Sequence, residues 1–142
     1  TIFTEEFHVL PSIKDGDSLI AKWQRIREMR SDITKAIEHE REAGHVGSSL
    51  QAEIHIQASS ADVALLKSLG DDLKFITITS SATVEEKTDI TEISVSVKSS
   101  THQKCGRCWH YREDVGHDPQ HPELCGRCTT NLFGSGEKRQ VA

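Results

Sequence analysis

The tetrapeptide CGRC occurs twice in this chain, at Cys105–Cys108 and Cys125–Cys128, and these are all the cysteines it has. Two residues between cysteines let one tight turn aim both sulfurs at a point, and Gly106 and Gly126 are read as easing that turn. Backbone N–H groups in such a turn can also donate to the sulfurs. Sixteen residues separate the pairs, enough for a short ribbon that brings the two turns together. Four soft ligands so arranged match the tetrahedral preference of a structural zinc. The spacing therefore predicts one Zn2+ on Cys105, Cys108, Cys125 and Cys128.

Four thiols have other uses. Two disulfides need an oxidising compartment, and nothing here signals export. A redox CxxC expects a single pair between a strand and a helix. An iron–sulfur centre takes four thiolates as well and stays open on chemistry alone. His102, His110, His117 and His121 crowd the same region and are read as surface or supporting groups. A catalytic zinc needs an open position for water, which four thiolates do not leave. Residues 101–142 are too few for a large core. Trp109, Tyr111, Val115, Leu124, Leu132 and Phe133 are the candidates for a small one, with Trp109 read as part of it. Metal binding can contribute on the order of 10 kcal/mol to folding of such a module.

Upstream, Leu19, Trp23, Ile26, Met29, Ile33 and Ile37 recur at steps of three or four, which predicts a long amphipathic helix over 18–44. Asp17 or Ser18 is the expected cap and Gly44 the stop. The apolar stripe is expected to seek cover from helices of a bundle, or from the domain that follows. Residues 50–100 change character. Leu50, Ala52, Ile54, Ile56 and Ala58 alternate as in a strand. Residues 60–70 read as a short helix, 73–86 as a β-branched strand and 90–100 as another strand. The fold class expected is α+β: a long N-terminal helix, a small mixed α/β domain and a C-terminal zinc ribbon or knuckle.

The net charge of −5 argues against a general polyanion binder, but it is unevenly spread. Residues 45–100 carry eight acids against four lysines, whereas 18–44 and 101–142 each carry six basic residues against five acidic. Contact with a polyanion should use the helix and the tail. No apolar run is long enough to span a membrane. The chain lacks an initiator Met and opens on an irregular stretch, so a piece of a longer protein is expected.

"KCGRCWHY", "DVG" and "HPELCGRCTTNLFGSGEKRQVA" resemble the C-terminal end of bacterial isoleucyl-tRNA synthetases. "FHVLP" and "WQRIREMRSDITKAIEHEREAGHVGSSLQAEIHI" are similar to the last helix of that family's anticodon-binding bundle and the chain leaving it. The resemblance is weak over 60–100. It implies that 1–49 is a strap and terminal helix of the bundle, 50–100 a junction domain and 101–142 a zinc module with a basic tail. The four cysteine positions match the family's zinc ligands. It further implies a cytoplasmic protein whose partners are tRNA(Ile) and the remainder of the synthetase chain, packed on the 18–44 helix, with no membrane. The family's ATP-holding HIGH and KMSKS sequences are absent, so ATP and Mg2+ belong to a catalytic core elsewhere and no catalytic residue is expected here. Arg112, Lys138 and Arg139 stand outside the CxxC turns and are expected to hold RNA phosphates, with Tyr111 offering a stacking face. The alternative is a zinc-stabilised protein-interaction module without nucleic-acid binding.

Overall fold

The computed structural model describes residues 2–138. Helix α1 spans Gly16–Glu42. It starts before the expected caps because Asp15 adopts left-handed backbone (φ 60°) and turns the chain into it. Ser18 caps nothing forward; its Oγ donates back to the Asp15 carbonyl at 2.8 Å. Gly44, at φ 79°, stands just past the end, where a left-handed residue commonly stops a helix.

A three-stranded sheet follows, with β1 at Ala52–Ala58, β2 at Ser81–Glu86 and β3 at Ser94–Ser99. The central β1 pairs parallel with β2 and antiparallel with β3. A parallel partner requires a crossover, which α2 (Ser60–Lys67) and α3 (Leu73–Thr77) supply. The register sets Glu53 opposite Ser81 and Ala52 opposite Ser99, so the start of β1, the start of β2 and the end of β3 meet at one end of the sheet. The zinc module leaves from that end. Its β4 (Gln103–Lys104) and β5 (Tyr111–Arg112) form a small antiparallel ladder, and α4 runs from Gly126 to Phe133.

One core joins α1 to the sheet. Ile26, Met29, Ile33 and Ile37 are buried together with Ala52, Ile54, Ile56, Ala58, Val63, Leu66, Leu69 and Leu73. Burial of each large aliphatic side chain favours folding by about 1.5–3 kcal/mol. The middle of the helix stripe is therefore covered by the chain's own sheet, and no bundle neighbour is needed there. Only its first turns differ: Leu19 is 46% and Ile20 66% exposed. Arg25 fastens the helix to α2 through both Asp62 oxygens, at 2.9 and 2.8 Å.

The expected strand over 73–86 is half helix. Leu73, Lys74 and Thr77 are buried at helical spacing, and Arg30 Nε donates to the Ile76 carbonyl at 2.7 Å. Ile78 ends the turn in left-handed backbone (φ 57°). These tertiary contacts override the strand preference of Ile76, Thr77, Ile78 and Thr79.

Candidate metal centre

The first knuckle is the connection between β4 and β5. Cys105 N donates to the His110 carbonyl at 2.9 Å, and Trp109 N to the Cys105 carbonyl at 3.0 Å. The second knuckle is the start of α4, with Cys125 at its N-cap and Cys128 buried in its first turn. Gly106 N donates across to the Glu123 carbonyl at 2.9 Å, holding one knuckle against the other. All four Sγ atoms fall within 4.8 Å of one another, and Cys108 Sγ lies 3.8 Å from Cys125 Sγ. Four sulfurs tetrahedrally bound to zinc at about 2.3 Å stand about 3.8 Å apart, so the cluster fits that ion.

Cys105, Cys125 and Cys128 are fully buried. Cys125 N donates to Cys105 Sγ at 3.4 Å and the Arg107 side chain, through Nη1, to Cys128 Sγ at 3.7 Å, so each knuckle supports a sulfur of the other. Burial alone would raise the Cys105 thiol, but backbone N–H groups of Cys108, Cys125 and Arg107 outweigh it and bring it down to about 6. Burial pushes Cys108 and Cys125 up. The Cys105 thiolate forms readily, whereas burial first, and then the neighbouring sulfurs, work against charge on Cys108 and Cys125. Four thiolates require a cation among them. Among the described residues no histidine joins this group. His110 Nδ1 is 3.2 Å from the Cys108 carbonyl, and burial holds its ring below its usual range.

Glycine serves a different purpose here than the spacing suggests. Neither Gly106 nor Gly126 has positive φ; the left-handed residue of the first knuckle is Trp109, at φ 65°. Gly126 instead makes room: an added Cβ would stand 2.9 Å from Asp114 Oδ2, which accepts from Gly126 N at 3.0 Å.

Trp109 is 57% exposed, with Lys104 Nζ 5.1 Å from its ring centroid. It is outside the core, because the left-handed backbone turns it away from the sulfurs. Leu132 and Phe133 are exposed too, and the buried apolar set is Cys105, Cys125, Cys128 and Val115, against which Cys108 and Leu124 pack. Arg112 is not free: its Nε and Nη2 donate to Asp114 at 2.9 and 3.4 Å. Tyr111 is half-buried and its N–H donates to Ser80 Oγ at 2.6 Å. Lys138 is exposed, and Arg139 lies outside the described residues. Arg127 is held first by Glu137, at 2.5 and 2.9 Å, and the Cys108 and Cys128 sulfurs favour its charge as well. Asp114, which ties Arg112 to the second knuckle, carried no signal in the sequence.

Residues 103–131 match the family described as a zinc finger found in FPG and IleRS. With the four-sulfur cluster, this gives the module one structural zinc. Over its whole length the chain is 54% identical to an isoleucine–tRNA ligase of Bordetella petrii and 54% to one of Burkholderia multivorans. A third, of Cupriavidus necator, is 52% identical over 143 residues. The chain spans 15% of the length of each of these relatives.

Proposed function

Since the chain belongs to the isoleucine–tRNA ligase family, we propose that it is the part of such a ligase that docks the anticodon end of tRNA(Ile). ATP- and Mg2+-dependent aminoacylation then belongs to a catalytic core outside this sequence, in the cytoplasm where tRNA is charged. Cys105, Cys108, Cys125 and Cys128 hold the zinc, and the zinc holds the shape of the module that meets RNA. Residues 1–49 complete an anticodon-binding bundle, with Phe3, Phe7, Val9, Leu10 and Ile13, each more than 70% exposed, packing on the rest of the ligase. Residues 50–100 are the junction that carries the module.

The observation that carries this reading is Trp109. A bulky ring in left-handed backbone, left mostly in water in a module short of core, is costly unless it meets a partner. Its π-face, with Lys104 beside it, suits an unpaired base next to a phosphate. Lys138 and Arg139 extend the basic side, whereas Arg112 supports the fold through Asp114.

Binding of tRNA(Ile) to the zinc-loaded chain across salt concentrations tests it. A few phosphate contacts predict a log–log slope of magnitude about 2. Trp109→Ala should weaken binding by about 1–3 kcal/mol with zinc content unchanged. Binding indifferent to salt and to Trp109 would instead favour a zinc-held protein-contact module.

A further inference from the structure

The junction between the zinc module and the α/β body is built, not merely linked. Phe75, on α3 of the body, meets two module side chains. The His110 ring packs edge-on against it, centroids 5.5 Å apart at 77°, and the Arg127 guanidinium carbon sits 4.6 Å from its centroid. His110 follows the first knuckle and Arg127 lies inside the second, so one aromatic ring touches both halves of the metal site. A second fastening lies at Ser80. Its Oγ accepts from Tyr111 N at 2.6 Å and donates to the Leu50 carbonyl at 2.5 Å, while its N–H donates to the Ala52 carbonyl at 2.9 Å. Arg127 also grips Glu137 through two hydrogen bonds, and Glu137 N donates to Asn131 Oδ1 at 2.7 Å. The chain beyond α4 is thus folded back to the same joint.

We propose that Phe75 and Arg127 are positioning residues that key the zinc module to the body in one orientation, and so set how Trp109 and the residues after Glu137 are presented to RNA. The second half rests on the docking reading; the first does not. Neither residue is a metal ligand, and Phe75 is thirty residues upstream of Cys105, outside the zinc-finger match. The joint works because each of its parts is directional: an edge-to-face ring pair, a guanidinium over a π-face and a bidentate ion pair fix angles as well as distances. A flexible tether would have to be ordered anew at every binding event, at an entropic cost.

Residual dipolar couplings of the zinc-loaded chain test the joint directly. In the parent, amides of 16–99 and 103–133 should fit a single alignment tensor. In Phe75→Ala and in Arg127→Gln, zinc content and circular dichroism should match the parent, while the two segments need separate tensors. Phe75→Tyr should restore one tensor. In the full-length ligase, the two disrupting variants should bind tRNA(Ile) about three- to tenfold more weakly, with isoleucine-dependent pyrophosphate exchange unchanged. A single tensor retained in both disrupting variants overturns the joint. Separate tensors with unaltered tRNA binding would leave the joint standing and overturn its role in presentation, whereas the docking reading stands or falls on the salt dependence and Trp109→Ala.

Discussion

The α/β body and the zinc module are segments of one chain held together by different physics. In residues 16–99 a helix stripe and a sheet face bury a continuous set of aliphatic side chains, from Ile26 to Leu73. In residues 103–133 the buried apolar set is three cysteines and Val115, joined by the His110 ring, while Trp109, Leu132 and Phe133 are mostly exposed. A segment that leaves its largest apolar side chains outside cannot rely on the hydrophobic effect, so metal coordination has to supply what the core does not. The difference also frees those side chains for a partner, which the body cannot do with its own.

The largest effect that would break this contrast is loss of a ligand. Cys125→Ser should abolish tight zinc binding, worth on the order of 10 kcal/mol, and unfold the module, while the α-helical circular dichroism of the body persists. Next comes the opposite lesion. Ile33→Ala opens a cavity between α1 and the sheet and should cost the body about 2–5 kcal/mol in chemical denaturation, with the zinc content of the folded protein unchanged.

A smaller effect tests the tie between α1 and α2. Hydrogen bonding from Arg25 outweighs burial and holds the Asp62 carboxyl below its ordinary value of 3.8. A depressed carboxylate contributes stability that is complete above about pH 4 and is lost as the pH falls through its lower folded value. Asp62→Asn should therefore cost about 1 kcal/mol near neutrality, limited because Arg25 is partly in water. It should also flatten the acid side of the stability profile.

The smallest effect is the sharpest for the module. Trp109→Gly should leave its stability unchanged or raise it by up to about 1 kcal/mol, because glycine relieves the left-handed backbone. A core tryptophan would cost about 3–5 kcal/mol when removed. Zinc-dependent thermal unfolding distinguishes the two.

Much of this contrast could be read from residue spacing. The i, i+3, i+4 recurrence from Ile26 to Ile37 and the alternation of β1 both mark faces that are buried, and the paired CxxC spacing marks sulfurs that do converge. What covers a face is a different matter. Spacing shows that Ile33 needs a neighbour and not that the neighbour is the sheet of the same chain. The turn at Leu73–Thr77 was hidden because β-branched residues favour strands locally, and a distant Arg30 side chain decides otherwise. No pattern in the sequence announces a left-handed tryptophan, so spacing alone assigns Trp109 to the core. Arg112 looked free because its partner Asp114 is two residues away, a pairing that depends on how the chain turns after β5. Local periodicity thus reports which side chains want burial, while long-range partners and backbone handedness settle where they go.

The core holds the body and the metal holds the module. Residue-resolved amide hydrogen exchange, before and after zinc is stripped by a chelator, tests it most directly. Protection in 103–133 should collapse to that of an unfolded chain, while amides of α1 and β1 keep theirs, with losses in the body confined to the Phe75 and Ser80 joint. Full protection of the module without metal, or loss of protection throughout α1 and β1 together with it, would contradict the account.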